Sequence, residues 1–149
     1  MGSPRARTAG EGEGGRDAES CFSAAEIAYL TGRRLGRIAT VGADGAPHVV
    51  PVGMIAHDPG DDAIEVRGRD LAATKKFRDA ERRGRAAIVV DDIASTDPWR
   101  PRGIEVRGRA EAVREPESVI RIHPERIVAW GIEGGRGARS VATADGERE

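Results

Sequence analysis

The side chains best suited to chemistry lie together near the middle of the chain, in a segment that ends with two adjacent lysines. Lys75 and Lys76 are the only lysines among the 24 lysine and arginine residues of the chain. A strand pattern ends just before them and a helical pattern begins at them, so free N–H groups and the positive helix end favour an anion there. Together with Arg69 and the hydroxyl of Thr74, the lysines predict a phosphate site. The alternative is a solvated helix start whose charges bind nothing.

The residue that caps this helix is left open by the sequence. Thr74 can accept a hydrogen bond from the helix start and present the N–H groups of Lys75, Lys76 and Phe77 to a phosphate. Asp70 can cap it instead, and its carboxylate would then compete for the same donors and oppose a nearby anion. The two alternatives differ in how well the helix start would receive a phosphate.

No acid, base or nucleophile stands out elsewhere in the chain. The histidines, His48, His57 and His123, share no metal-ligand spacing with one another or with Cys21, so we expect no metal site. His48 begins a strand and is a candidate ligand contact. There is no Gly-x-Ser-x-Gly motif, and no glycine-rich phosphate loop follows a strand. Binding residues without catalytic ones are typical of an enzyme whose cofactor supplies the reaction.

Composition narrows the class of protein further. Charged residues make up 33% of the chain and the net charge is −1, so no global basic field favours nucleic acid. The single cysteine excludes an internal disulfide framework and fits a reducing compartment. No apolar run approaches the roughly 20 residues of a membrane span, and no secretory signal is evident. We therefore expect a cytoplasmic protein with neither a nucleic-acid nor a membrane partner.

Both ends of the chain are predicted to be disordered. Residues 1–21 and 133–149 are rich in glycine and charge and contain few large apolar side chains, so they bury too little surface to offset the entropy of ordering. The folded domain is expected to span residues 22–132. A body of this size often completes its core by forming an oligomer.

The order of elements indicates a mainly β fold of the α+β class. A capping box at Ser23 and Glu26 predicts a short first helix, and a second helix is predicted over 74–83. Alternating apolar residues and hairpin-length turns favour an antiparallel barrel or strongly curled sheet of six to seven strands. The predicted strands are 35–41, 47–54, 63–69, 85–91, 103–113, 119–123 and 126–130, with a loop over 93–101 and a corner at Pro124 and Glu125.

Several of these segments, taken in order, resemble one known family. The run Leu-Gly-Arg-Ile-Ala-Thr-Val-Gly-Ala-Asp-Gly-Ala-Pro-His-Val-Val-Pro-Val at 35–52 resembles the opening of split β-barrel flavoproteins of the pyridoxamine 5′-phosphate oxidase superfamily, the FMN-binding split barrel type. Residues 67–79 and 85–92 look like the branch that uses the deazaflavin coenzyme F420. Residues 97–109 and 120–130 are similar to a subfamily that includes reductases of tetracycline biosynthesis. The resemblance covers essentially all of 22–132.

The resemblance implies a homodimer with two cofactor sites at the subunit interface. It places the coenzyme phosphate on Arg69, Thr74, Lys75 and Lys76, with Lys76 the best match to the family's phosphate lysine. The strand that carries His48, Val50, Pro51 and Val52 would line the deazaflavin ring through its backbone. Trp99 and Arg100 would approach from the partner chain. Val50 and Pro51 stand where some relatives place polar groups, so ring contacts would fall largely to backbone atoms.

The activity implied by the resemblance is hydride transfer from reduced coenzyme F420 to an electron-poor C=C or quinone-like small molecule. An alternative keeps the fold with FMN as cofactor, in an enzyme that oxidises a pyridoxamine-like amine. A further alternative is a carrier that holds F420 or a flavin without catalysis. No residue is assigned a catalytic role.

Overall fold

The computed structural model describes residues 20–32 and 35–142, and within them the chain is mainly β. These residues form two α-helices, a short 3-10 turn and eight strands. The elements in chain order are α1 (Ala24–Thr31), β1 (Gly36–Val41), β2 (Pro47–Val52), β3 (Met54–Asp58), β4 (Ala63–Arg67), the 3-10 turn (Leu71–Ala73), α2 (Lys75–Arg83), β5 (Arg85–Thr96), β6 (Trp99–Val113), β7 (Val119–Trp130) and β8 (Ala138–Ser140).

The strands form one strongly curled antiparallel sheet. Its order is β2-β1-β5-β6-β7-β4-β3, with β8 paired to β7. The curl brings β3 back over β1, since a Cβ added at Gly36 would lie only 2.7 Å from Cδ1 of Ile55. The prediction of a mainly β, split-barrel fold with two short helices is confirmed. The described residues contain eight strands, however, where six to seven were predicted.

Strict alternation explains why these strands bury one face. In β4, Ile64 and Val66 are fully buried while Glu65 lies on the other face. The second copy of the motif Ile-Glu-Val-Arg-Gly-Arg lies in β6, where Ile104 and Val106 are equally buried. Because β4 and β6 flank β7 on either side, the two copies meet the same local demands. The inward side chains form the core of the barrel.

Both helices begin where the sequence predicts. α1 has the expected capping box, in which Ser23 Oγ accepts from the N–H of Glu26 at 3.1 Å and a Glu26 carboxylate oxygen accepts from the N–H of Ser23 at 2.9 Å. α2 ends at Gly84, whose φ of 71° lies in the left-handed region that glycine tolerates best. Among the described helices, none is long and apolar enough to cross a membrane.

Several strand boundaries predicted from the sequence were wrong. The predicted loop over 93–101 is instead a hairpin, in which β5 continues to Thr96 and β6 starts at Trp99. Prolines on both sides of Trp99 suggested a break, but Pro101 pairs with Ile93 beside a bulge, which strands accommodate at such points. The strand predicted over 47–54 divides at Gly53 into β2 and β3.

The predicted corner at Pro124 and Glu125 is a bulge inside the continuous strand β7. The register with β6 shifts there, so that Gly108 lies opposite Pro124. A Cβ added at Gly108 would lie 1.9 Å from the carbonyl oxygen of His123. Only glycine fits so close to the opposing backbone.

The prediction of disorder from residue 133 onward was wrong for its described part. β8 pairs with β7, and Arg139 binds the buried carboxylate of Glu26 at 2.6 Å. Strand pairing, this ion pair and the packing of Val141 against the core together hold this segment. At the other end, the N–H of Cys21 and the hydroxyl of Ser20 donate to Asp62, so these two residues also belong to the folded body. The remaining predicted tail residues, 1–19 and 143–149, lie outside the described residues.

Candidate functional site

Thr74, and not Asp70, caps the helix at the predicted phosphate site. Thr74 Oγ1 accepts a hydrogen bond from the N–H of Phe77 at 3.3 Å and donates to the carbonyl of Leu71 at 2.6 Å. Asp70 precedes the 3-10 turn with a φ of 50°, and its side chain makes no capping bond. Because Phe77 gives its N–H to Thr74, two of the three expected donors remain for an anion, the N–H groups of Lys75 and Lys76.

Loss of this cap has a predictable cost. The Thr74→Val variant keeps the shape of the side chain but removes the acceptor, so we expect the free energy of unfolding to fall by about 1 kcal/mol. Urea unfolding followed by circular dichroism measures the change. The Asp70→Asn variant is the control, since it should leave stability within about 0.5 kcal/mol of the wild type. A larger fall in the free energy of unfolding for Asp70→Asn than for Thr74→Val would indicate that Asp70 caps the helix.

Two cations at this helix start are not neutralised within the described chain. Arg69 is exposed and Lys76 is half-buried, and neither forms an ion pair with any described residue. Lys75, in contrast, lies 3.2 Å from the carboxylate of Asp79. Arg69, Lys76 and the two free N–H groups therefore carry the positive potential that a phosphate requires.

Asp79 is a buried carboxylate that the sequence analysis missed. It is 1% exposed and accepts a hydrogen bond from the hydroxyl of Thr40 at 2.9 Å. Burial by itself would raise the pKa of Asp79, but the hydrogen bonds from Thr40 and Lys75 and the nearby His48 outweigh burial and lower that pKa. The available signal was spacing, because Asp79 lies four residues after Lys75 and so shares its helix face.

The strand expected to line a ring, β2, is an edge of the sheet. Within residues 20–32 and 35–142 it pairs with β1 alone, so its outer backbone groups are open to a ligand there. The predicted ring contacts divide between its faces. His48, Val50 and Val52 face the barrel interior, whereas Pro51 lies on the opposite, exposed face with Val49. The structure thus brings His48 close to Asp79 but does not place all four predicted residues on one surface.

Trp99 and Arg100 lie beyond the end of β5 that is opposite to its junction with α2. They start β6 at the tip of the β5–β6 hairpin, and Trp99 is 63% exposed. Arg85 follows α2 directly, and β5 runs 12 residues from Arg85 to the tip. At roughly 3.3 Å per residue, that is on the order of 35 Å. No described contact joins Trp99 or Arg100 to Lys76 within one chain.

A cleft of about 560 Å³ opens beside the 3-10 turn. Met54, Arg67 and Glu117 lie along it. The guanidinium of Arg67 donates to Glu65 at 2.7 Å, while its buried Nε lies 3.4 Å from Glu117 without a hydrogen bond. Sequence reasoning had not placed Met54 among the site residues. The cleft gives a ligand at the helix start room to extend along the end of β4.

The other reactive residues do not converge. Burial, together with hydrogen bonding to Asp62, raises the pKa of Cys21 to about 12, so this cysteine remains a thiol. His57 binds Asp62 at 2.8 Å and His123 binds Glu111 at 3.0 Å, in separate parts of the sheet. In residues 20–32 and 35–142, no three histidine, cysteine or acidic side chains form a potential metal site.

Comparison with known proteins places this chain in a family. The model of the pyridoxamine 5′-phosphate oxidase family matches residues 23–147. The chain is 43% identical over 141 residues to a 5a,11a-dehydrotetracycline/5a,11a-dehydrooxytetracycline reductase of Streptomyces rimosus, covering 85% of this chain and 98% of that protein.

Two solved structures share the fold at low sequence identity. A conserved hypothetical protein of Mycobacterium tuberculosis is 24% identical with a TM-score of 0.61, over 86% of this chain and 97% of that one. A structure described as an F420 reductase is 21% identical with a TM-score of 0.51, over 67% and 93%. The family match spans nearly the whole described chain and agrees with the curled antiparallel sheet. The chain therefore belongs to the pyridoxamine 5′-phosphate oxidase family.

Proposed function

We propose that this protein is an oxidoreductase that uses coenzyme F420 to reduce an electron-poor C=C or a quinone-like small molecule. The observation that carries the proposal is the start of α2, where Arg69 and Lys76 have no ion-pair partner among the described residues and two helix N–H groups are free. Such a site fits the phosphate that F420 and flavin nucleotides share. Reduction is supported by the 43% identity to a reductase, and the choice of F420 by the resemblance of residues 67–79 and 85–92 to the F420-using branch.

The chain's contribution is to hold the cofactor and to exclude water. Lys76, Arg69 and the free N–H groups would bind the phosphate, and the edge strand β2 would offer backbone donors and acceptors to the ring. When bound, reduced F420 supplies a hydride to the acceptor. The carboxylate of Asp79, next to this site, already accepts hydrogen bonds from Thr40 and Lys75. We therefore assign it no catalytic role.

A homodimer would complete this site. The face of the sheet opposite the core carries an apolar row across three neighbouring strands, formed by the pairs Ala39↔Val49 and Ala39↔Ala87. The ion pair of Arg37 with Asp91 lies beside this row. Val49 is 63% exposed there in the single chain. Exposed apolar surface of this kind often marks an interface with another protein. A second copy would cover it, and Trp99 of the partner subunit would reach a site that its own chain does not. Such an aromatic anchor is typical of a dimer interface.

A cofactor titration tests the proposal. The purified protein is titrated with F420 and, in parallel, with FMN, and binding is followed by the change in cofactor fluorescence. We expect F420 to bind at least about tenfold more tightly than FMN. The complex with reduced F420 should then be mixed with enones and quinones, including a dehydrotetracycline, and should be oxidised faster than without an acceptor.

The other outcomes point to different functions. Tighter binding of FMN, with oxidation of pyridoxamine 5′-phosphate, would favour the activity after which the matched family is named. Tight binding of F420 with no oxidation by any acceptor would favour a carrier. Failure to bind either cofactor would reject the proposal.

A further inference from the structure

Three side chains of α2 share one face of the helix and contact the β1–β2 hairpin. Lys75, Asp79 and Arg83 are spaced four residues apart, which places them on the same face. Asp79 binds the hydroxyl of Thr40 in β1 at 2.9 Å. Arg83 donates to two carbonyl oxygens of the hairpin turn, at 3.2 and 3.0 Å. We call Lys75, Asp79 and Arg83 the hairpin-facing stripe.

Lys75 is packed into this contact. Its Nζ lies 3.2 Å from Asp79, and a Cβ added at Gly42 in the turn would lie 2.9 Å from the same Nζ. The absence of a side chain at Gly42 therefore leaves the space that the ammonium group occupies. Lys75 thus joins the helix to the hairpin turn through a charge and through close packing.

Lys76 has different surroundings although it is the next residue. Consecutive residues of an α-helix are rotated by about 100° around the helix axis, so Lys76 cannot share the stripe with Lys75. No described carboxylate pairs with it. Its ammonium group is thus available to a ligand, while that of Lys75 is already committed to Asp79.

We propose that the two lysines have different roles: Lys76 binds the cofactor phosphate, and Lys75 is a positioning residue that holds the β1–β2 hairpin against α2. This inference rests on the proposed function, because it assigns roles within the same cofactor site. Since β2 is the second strand of the hairpin, the Lys75–Asp79 pair fixes the strand that lines the ring relative to the helix that receives the phosphate.

The burial of Asp79 makes the pair sensitive to substitution. Its side chain is 1% exposed, while that of Lys75 is 46% exposed. Removing Lys75 leaves a buried carboxylate with Thr40 as its remaining described side-chain donor, and an uncompensated buried charge destabilises a fold strongly. Removing Lys76 leaves no such charge. The two substitutions should therefore have opposite signatures.

The test compares Lys75→Met with Lys76→Met in the full chain. Lys75→Met should lower the melting temperature by more than about 5 °C and should weaken F420 binding by less than about threefold. It should also shift the absorbance of bound F420 and lower kcat at saturating cofactor, because the ring-lining strand is displaced. Lys75→Arg should restore all these properties. Lys76→Met should leave the melting temperature within about 2 °C and weaken F420 binding at least tenfold.

A double-mutant cycle with Asp79→Asn separates this inference from the proposed function, since it needs no cofactor. The loss of melting temperature in Lys75→Met should largely vanish when Asp79 is already neutral. An unchanged melting temperature in Lys75→Met, or tenfold weaker binding in both lysine variants with normal stability, would overturn the division of roles. If the wild type binds neither F420 nor FMN, the proposed function and the role of Lys76 fail, while the cycle still decides the role of Lys75.

Discussion

Replacing Arg139 by methionine should lower the free energy of unfolding by about 3–5 kcal/mol, a large share of what a domain of this size has. Arg139 donates to both carboxylate oxygens of Glu26, at 2.6 and 3.1 Å. It also donates to the carbonyl of Cys21 at 2.7 Å. One guanidinium thus joins β8 to the start of α1 and to the chain before it.

The size of the effect follows from the burial of Glu26. Its side chain is fully buried, and it also accepts from the N–H groups of Ser23 and Arg136. Without Arg139, the carboxylate keeps two neutral donors and loses its counter-charge. Removing one partner of a buried ion pair lowers the free energy of unfolding strongly, because the other charge stays buried without compensation. Replacing both partners by apolar side chains often costs little. Denaturant unfolding at neutral pH measures the difference.

The same ion pair predicts a dependence on pH. Burial alone would raise the pKa of Glu26, but the bonds from Arg139, Arg136 and Ser23 outweigh it, so the folded-state pKa lies below the ordinary value of 4.5. The contribution of Glu26 is therefore present above pH 4.5 and is lost as the pH falls through the folded-state pKa. The stability difference between wild type and Arg139→Met should shrink correspondingly below pH 4.5.

A neighbouring arginine provides the matched control. Arg136 binds Glu26 through its backbone N–H, and among the described residues its exposed side chain is bonded to the carbonyl of Ser20 alone. Arg136→Met keeps that N–H, so it should cost less than about 1 kcal/mol. Equal losses in the two variants would mean that the Arg139 ion pair does not hold the C-terminal strand in place.

This ion pair also explains which part of the fold the sequence could not predict. Alternation, the capping box and the turn between β1 and β2 are local signals, and they predicted most strands and both helices. β8 is held in part by Arg139, which meets Glu26 across 113 positions of the chain. The glycine-rich composition of residues 133–149 predicted disorder, and no local sequence pattern indicates that Arg139 pairs with Glu26.

The candidate site shows the same division. Arg69, Thr74 and Lys76 were predicted from residue type and position, because a helix start after a strand is a local feature. The hydrogen bond between Thr40 and Asp79 was not predicted, because it joins residues 39 positions apart. Pro51 was grouped with Val52 as a ring contact, yet alternation in β2 places them on opposite faces.

A charge on the apolar sheet face should have the largest effect on function. We expect Val49→Asp to convert a dimer into a monomer and to weaken F420 binding at least tenfold. Val49 is 63% exposed in the single chain, so an aspartate there is solvated and the monomer should fold. Against a second copy, the carboxylate would be buried without a partner, which costs several kcal/mol.

Light scattering during size-exclusion chromatography measures the oligomeric state, and fluorescence titration measures F420 affinity. Ala138→Asp is the control, since it adds the same charge at an exposed position in β8 and should leave both properties unchanged. A wild-type monomer, or a Val49→Asp dimer with normal affinity, would contradict the shared site. Loss of both properties in Val49→Asp alone would tie them to one cause, because in the proposed dimer Trp99 of the partner subunit would reach the cofactor only while the two sheets remain in contact.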